Sequence, residues 1–89
     1  MAQAELTLIN KLGLHARAAA VLVKVAGGFA ARVRLRRGDQ EADGKSIMAV
    51  MMLAAPCGTT LTVMTEGEDA DEALAAIEAT VADRFGEDE

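Results

Sequence analysis

Apolar and polar residues alternate along three segments of this 89-residue chain. The three segments are residues 5–9, 31–36 and 60–63. In the second of them Val33 and Leu35 alternate with arginines, which is typical of a strand buried on one face and solvated on the other. A fourth, weaker strand is expected at residues 40–43, directly after a turn at Gly38 and Asp39. The pattern therefore predicts four strands.

Two stretches between these strands have helical character. Residues 16–26 are apolar except for Arg17 and Lys24, and a Gly-Gly pair follows them as a stop signal. Residues 47–53 form a shorter apolar segment directly behind Ser46, and serine is a preferred N-cap residue. The first of these helices is apolar nearly all round, so it must bury two faces or leave an apolar patch for a partner.

A third helix is expected near the end of the chain. Asp69 and Glu72 have the spacing of a capping pair that opens a helix. Apolar residues then recur on one stripe, which consists of Ala70, Leu74, Ile77, Val81 and Phe85. Beyond them, residues 86–89 are small or acidic and are expected to be a frayed tail.

The predicted order of elements is βαββαβα within a single domain that covers residues 1–89. Strands with one polar face and amphipathic helices favour a two-layer α+β sandwich. Its four-stranded antiparallel sheet would carry three helices on one face and water on the other.

Composition and charge exclude several classes of protein. No apolar run reaches the length of a membrane span, and the N-terminal residues lack the pattern of a signal peptide. Cys57 is the single cysteine, which fits a reducing compartment and hence a cytoplasmic protein. The net charge of −5 is uneven, because residues 1–38 carry a net +6 and residues 66–89 a net −9. Such segregation favours steered docking to charged partners.

His15 is the only histidine, and it lies where the first strand gives way to the first helix. Imidazole can act as a nucleophile near neutral pH without special activation. The free N–H groups that open a helix, together with the Arg17 guanidinium two residues further on, suit the transient binding of a phosphoryl group. No acid–base pair, metal-ligand cluster or glycine-rich nucleotide loop accompanies this histidine, which favours a carrier over an enzyme and requires no cofactor or metal.

Two short motifs resemble those of a known family. Gly-Leu-His-Ala-Arg at residues 13–17 and Gly-Lys-Ser-Ile-Met at residues 44–48 are similar to the two signature segments of HPr, the histidine phosphocarrier of the phosphoenolpyruvate-dependent sugar phosphotransferase system. Length, element order and the spacing of the motifs agree with that family along the whole chain. One departure is Ala18, where the family usually has proline. Alanine is also a good helix former, so we expect the chemistry to survive.

The resemblance implies a function for the first motif. His15 would accept a phosphoryl group from phospho-enzyme I as a transient phosphohistidine and pass it to the IIA domains of sugar permeases. The backbone N–H groups of Ala16 and Arg17 would hold the added charge, and the Arg17 guanidinium would contact the phosphoryl oxygens. The protein would be a monomer that neither inserts into a membrane nor binds nucleic acid.

The second motif has two compatible interpretations. Ser46 is expected to cap the helix that follows, and the resemblance adds that it occupies the regulatory phosphorylation site of many family members, modified by a serine kinase/phosphatase. Exposed methionines adapt to several partners. The resemblance therefore implies a docking surface for partner proteins, formed by Ile47, Met48 and Met51 beside Ala16, Ala20 and Lys24.

Three alternatives stay open at this point. The chain could serve a nitrogen-related phosphorelay with the same chemistry, although the Ser46 segment argues against this role. It could be a regulatory module whose Ser46-phosphorylated form binds a transcription regulator. The row Arg32, Arg34, Arg36 and Arg37 also suggests a nucleic-acid binder, but the chain is acidic overall and has no aromatic residues among these arginines to stack on bases.

Overall fold

The computed structural model describes residues 1–88, which form four strands and three helices. In chain order these are β1 (Ala2–Thr7), α1 (Ala16–Gly27), β2 (Arg32–Arg37), β3 (Gln40–Asp43), α2 (Ile47–Met52), β4 (Thr60–Glu66) and α3 (Ala70–Ala82). A short 3₁₀ turn at Arg84–Gly86 follows α3. The predicted order βαββαβα is confirmed.

The strands form one antiparallel sheet in the order β1-β4-β2-β3. Leu6 pairs with Leu61 across β1 and β4, and Leu35 lies between Val63 of β4 and Ala42 of β3. Because side chains alternate along a strand, these residues share one face of the sheet, and Leu35, Leu61 and Val63 are buried. The arginines at positions 32, 34 and 36 are exposed on the opposite face. The predicted open-faced sandwich is therefore confirmed.

The helices supply the second layer of the core. Leu22 of α1, Val50 of α2 and Ile77 of α3 are each at most 1% exposed, and each such side chain contributes about 1.5–3 kcal/mol to folding. α3 packs on β1 and β4, while α1 contacts both α2 and α3. Ala18 and Ala19 are completely buried, and their small side chains permit α1 to approach its neighbours closely.

Strand boundaries are set by pairing rather than by side-chain type. β1 begins at Ala2 and ends at Thr7, three and two residues earlier than the predicted 5–9. Its ladder to β4 runs from Ala2, opposite Thr65, to Thr7, opposite Thr60. Alanine is depleted in strands, so the side-chain pattern did not predict a strand at residues 2–4. β4 extends beyond the predicted 60–63 to Glu66, because residues 64–66 pair with β2.

The end of the chain departs most from prediction. Asp69 is the N-cap residue of α3, but its side chain makes no capping bond and instead accepts hydrogen bonds from the backbone N–H groups of Ala30 and Ala31. α3 ends at Ala82, so Phe85 is not part of its stripe, although it is buried. The expected frayed tail is wrong for Glu87, which is hydrogen-bonded to other parts of the chain. Residue 89 lies outside the described residues.

Candidate functional site at the first helix

His15 is the N-cap residue of α1. Its backbone is extended, with φ −75° and ψ 177°, and its carbonyl oxygen accepts the N–H of Ala19 at 2.8 Å. The imidazole makes no capping bond, so the ring is turned away from the backbone of the helix that it opens. The side chain is 27% exposed. Since the first N–H groups of a helix have no carbonyl partner within it, those of Ala16 and Arg17 are available to an anion beside the ring.

The loop before His15 is braced from both sides. Gly13 donates its N–H to the Asn10 carbonyl at 3.1 Å, and Leu14 donates to the Ala55 carbonyl at 2.8 Å. Gly13 has a φ of +64°, and a Cβ at this position would lie 2.7 Å from Cα of Pro56. Only glycine therefore fits this position of the first motif, for conformation and for space. Leu14 is 4% exposed and anchors the loop in the core.

The C-terminal segment returns to this site. Phe85 is buried, and the three residues 84–86 have φ values of 55°, 56° and 81°, which turn the chain back toward α1. Oε1 of Glu87 then accepts a hydrogen bond from Nδ2 of Asn10 at 3.0 Å, and Oε2 is paired with Nε2 of His15. The hydrogen bond from Asn10 lowers the pKa of Glu87, against the effect of burial, and the adjacent His15 and Arg17 lower it further.

A shallow depression of about 510 Å³ surrounds the imidazole. Its lining residues are Lys11, Leu12, His15, Arg17, Glu87 and Asp88. Arg17 is exposed, so its guanidinium can approach a group bound to the ring. Within residues 1–88, no three His, Cys, Asp or Glu side chains are close enough together to hold a metal ion. The depression is open to solvent, and the cationic side chains of Lys11 and Arg17 in its lining suit a small anion.

The second motif opens α2 at a separate place. Oγ of Ser46 accepts the backbone N–H of Ala49 at 3.2 Å, so the predicted N-cap is confirmed. Gly44 is buried, and a Cβ there would lie 2.5 Å from Cγ1 of Val33. The glycine of this motif is therefore required for packing of the β3–α2 connection against β2.

Exposure separates the core residues of α2 from its surface residues. Val50 is buried, whereas Ile47, Met48 and Met51 are 42%, 76% and 41% exposed. On the neighbouring α1, the residues Ala16, Ala20 and Lys24 are exposed at a spacing of four, which places them on one stripe. An apolar surface is thus present on α1 and α2, and its use for docking stays a prediction.

Sequence reasoning missed Asn10 and Glu87. One available signal was the charge segregation, since a strongly acidic C-terminal part would favour contact with the basic N-terminal part that contains His15. No pattern in the sequence indicated the left-handed turn that delivers Glu87 to the ring, because Arg84 and Phe85 are not residues that favour positive φ.

Fold and site together define a class of protein: a small open-faced α+β sandwich that presents one histidine at a helix N-terminus. A family model described as "PTS HPr component phosphorylation site" matches residues 2–83. The phosphocarrier protein HPr of Cupriavidus necator is 53% identical to this chain over 89 residues, with 100% of both chains covered. That of Pseudomonas aeruginosa is 58% identical over 86 residues, with 96% of both chains covered.

Solved structures agree with these relatives. HPr-C-His from Thermoanaerobacter tengcongensis superposes with a TM-score of 0.96 at 32% sequence identity and covers 100% of both chains.

A further relative has a different name. A protein named phosphocarrier protein NPr, from Shewanella violacea, is 42% identical over 83 residues, with 93% of this chain and 91% of the relative covered. The chain belongs to the HPr family of phosphocarrier proteins of the phosphotransferase system.

Proposed function

We propose that His15 accepts a phosphoryl group from phospho-enzyme I and passes it to the IIA domains of sugar permeases. The observation that carries this proposal is the position of the ring. The imidazole is partly exposed in an open depression at the N-terminus of α1, beside Arg17. A donor or acceptor protein can therefore reach it directly, without entry into a deep pocket.

The ring nitrogens have different roles in this proposal. Nε2 is paired with Glu87, which leaves Nδ1 as the nitrogen whose lone pair attacks phosphorus. The backbone N–H groups of Ala16 and Arg17 then donate hydrogen bonds to the phosphoryl oxygens, and the Arg17 guanidinium adds a charge-assisted contact. These contacts are few and exposed, which suits a carrier that must release its phosphoryl group again.

The proposal also covers the source of catalysis, the location and oligomeric state of the protein, and its docking surface. The protein acts as a carrier and its partners supply the catalysis, in the cytoplasm and as a monomer. Partners dock on Ile47, Met48 and Met51 of α2 together with the exposed stripe of α1. The support for this surface is its large apolar exposure on two helices that pack against each other.

Regulation at Ser46 is a second part of the proposal. Ser46 is half-buried at the N-terminus of α2, where a phosphate is electrostatically tolerated. A serine kinase/phosphatase would act on it, and the phosphorylated form could bind a transcription regulator. The added charge would lie next to Ile47 and Met48 and would oppose docking on an apolar surface.

Two alternatives are less well supported. The relative named NPr favours a nitrogen-related carrier, but its identity of 42% is below the 53% and 58% of two relatives named HPr. The arginine row does not favour nucleic acid, because Arg37 donates to the carbonyl oxygens of Leu53 and Ala54, and Arg34 pairs with Glu41 at 3.6 Å.

Phosphorylation in vitro tests the central proposal. Incubation with phosphoenolpyruvate and enzyme I should add one phosphoryl group that is labile to acid and stable to base, as expected for a phosphoramidate. The variant His15→Ala should acquire none. Phosphate that persists on His15→Ala, or wild-type protein that stays unlabelled, would show that His15 is not the acceptor.

The same assay tests Arg17. We expect Arg17→Ala to accept and release the phosphoryl group more slowly, with a free energy of unfolding within about 0.5 kcal/mol of wild type, because the side chain is exposed. Unchanged transfer rates with a large loss of stability would instead make Arg17 a structural residue.

A further inference from the structure

The carboxylate that contacts His15 is held by a built network. Asn10 is completely buried, and its Nδ2 donates both to the Gly13 carbonyl at 2.7 Å and to Oε1 of Glu87 at 3.0 Å. The second carboxylate oxygen is thereby directed at Nε2 of His15. The side chain of Glu87 is 12% exposed, so it is well removed from bulk water.

The backbone conformation before Glu87 also favours its contact with His15. Residues 84–86 all have positive φ, and two of them, Arg84 and Phe85, are not glycine. Each such residue costs about 1–2 kcal/mol in the left-handed conformation. Burial of Phe85 and the bonds of Glu87 offset this cost. The turn therefore holds the Glu87 carboxylate beside His15 as a fixed part of the fold.

We infer that Glu87 is a positioning residue for phosphoryl transfer, which keeps a proton on Nε2 of His15 while Nδ1 gains and loses the phosphoryl group. This inference rests on the proposed function. The carboxylate is the only hydrogen-bond partner of the ring among residues 1–88, and it contacts the nitrogen that would not be phosphorylated.

The proton on Nε2 matters in both directions of transfer. When Nδ1 attacks, its lone pair forms the N–P bond, and the electron pair of the broken bond leaves with the donor. The product is a phosphorylated imidazolium that retains the Nε2 proton, and the Glu87 carboxylate stabilises its positive charge. When the group leaves, the N–P electron pair returns to Nδ1 and yields neutral imidazole. Without the Nε2 proton the leaving group would be imidazolate, a much poorer one.

Imidazole geometry lets the carboxylate stay in place throughout. Nδ1 and Nε2 point outward from different sides of the ring, so a phosphoryl group on Nδ1 does not take the position of the Glu87 carboxylate. A buried acid that orients the far nitrogen of a reactive imidazole fixes its tautomer in the same way in hydrolytic triads. Asn10 would act one step further out, because it orients Glu87.

Two variants separate the tautomer from the charge. In Glu87→Gln, the amide oxygen can still accept the Nε2 proton, so the tautomer should be kept while the negative charge is lost. In Glu87→Ala, both should be lost. Glu78→Gln, which removes an exposed carboxylate on α3 that does not line the depression, is the matched control.

Two measurements are needed. Ring-nitrogen NMR chemical shifts of the unphosphorylated protein report the tautomer of neutral His15, and single-turnover assays with phospho-enzyme I report the rate at which His15 accepts the phosphoryl group. We expect Glu87→Gln to keep the Nε2–H tautomer and to accept the group about tenfold more slowly, because positive charge develops on the ring during acceptance and a neutral hydrogen bond stabilises it less than a charge-assisted one. Glu87→Ala should give mixed tautomers and at least the same loss of rate, whereas Glu78→Gln should match wild type.

The possible outcomes distinguish a failure of the role inferred for Glu87 from a failure of the proposed phosphorylation of His15. Wild-type spectra without a predominant Nε2–H tautomer would overturn the role of Glu87, whether or not His15 is phosphorylated. Acceptance rates of both Glu87 variants equal to wild type, or faster because the carboxylate obstructs the site, would also overturn it. Wild-type protein that is not phosphorylated on His15 would overturn the proposed function first, and the inference with it.

Discussion

The Ser46 hydroxyl has a structural task that any regulatory role must respect. It accepts the N–H of Ala49, and α2 is only six residues long, so a single cap is a large share of its terminal hydrogen bonding. Phosphorylation would replace this hydroxyl by a stronger acceptor at the same helix end. At this residue, charge can therefore change recognition while the fold is kept.

Ser46→Asp tests this separation at the residue scale. Aspartate is itself a good N-cap residue, so the free energy of unfolding should stay close to that of wild type. Its charge lies beside the exposed Ile47 and Met48, and we expect slower transfer from enzyme I at limiting protein concentration, with partial recovery at high concentration.

Ser46→Ala is the control for that experiment. It should transfer at the wild-type rate and lose up to about 1 kcal/mol of stability with the cap. Equal transfer rates for wild type and Ser46→Asp at every concentration would leave Ser46 with its capping role alone.

At the scale of elements, periodicity predicted what depends on one face of a strand or helix. Val33 and Leu35 point inward as their alternation requires, and Val50 is buried while Met48 is exposed. Asp69 shows where such reasoning stops. An aspartate suits both a capping pair and a hydrogen bond to the distant Ala30, and only the tertiary fold decides between them.

The functional site also contains both residues placed by local sequence and residues placed by the tertiary fold. His15 and Arg17 lie at the start of α1, where local sequence determines the geometry, whereas Gly13 and Gly44 are required by their close approach to the distant Pro56 and Val33. The contact of Glu87 with Asn10 joins residues 77 positions apart, and it depends on the turn after α3. Long-range pairings of this kind leave no periodic signal, so the sequence alone could not indicate them.

The end of α2 offers a stability prediction at this scale. Ala54 follows the C-cap residue and has a φ of 49°, a conformation in which glycine is usual. Alanine costs about 1–2 kcal/mol there, and the extra backbone entropy of glycine removes about half of the gain. Ala54→Gly should therefore raise the free energy of unfolding by about 0.5–1 kcal/mol, measured by chemical denaturation.

Ala55→Gly provides the comparison. Ala55 is 3% exposed and does not have a positive φ, so its replacement removes a buried methyl group and adds backbone entropy without relief of strain. It should be destabilising. A loss of stability in Ala54→Gly would contradict the argument from backbone conformation.

At the scale of the whole molecule, Asp69 connects α3 to the segment between α1 and β2. The hydrogen bond from the N–H of Ala30, at 2.9 Å, lowers the pKa of Asp69 below its ordinary value of 3.8. Burial of the carboxylate acts in the opposite direction, but the N–H of Ala31 and the charge of Lys45 lower the pKa further. The folded state thus favours the ionised carboxylate. Its contribution to stability is fully present above the unfolded pKa and is lost as pH falls through the lower, folded-state pKa.

Asp69→Asn should therefore lower Tm at neutral pH, and the difference from wild type should shrink as the pH is lowered to about 3. Thermal unfolding followed by circular dichroism across this range measures both proteins. Asp71→Asn, an exposed carboxylate in the first turn of α3, is the control and should show a smaller difference at neutral pH. A difference for Asp69→Asn that is independent of pH would show that ionisation of Asp69 is not the cause.

The position of β1 at the edge of the sheet has a consequence for how the protein matures. Its partner strand is β4, so Leu6 meets Leu61 only after most of the chain has been made. The segment that bears His15 leaves the ribosome early, yet its supports at Ala55 and Glu87 come late. Closure of such long loops is slow compared with local helix formation. The surroundings of His15 would therefore be assembled only after β4 and the C-terminal turn have been synthesised and have folded back onto the first part of the chain.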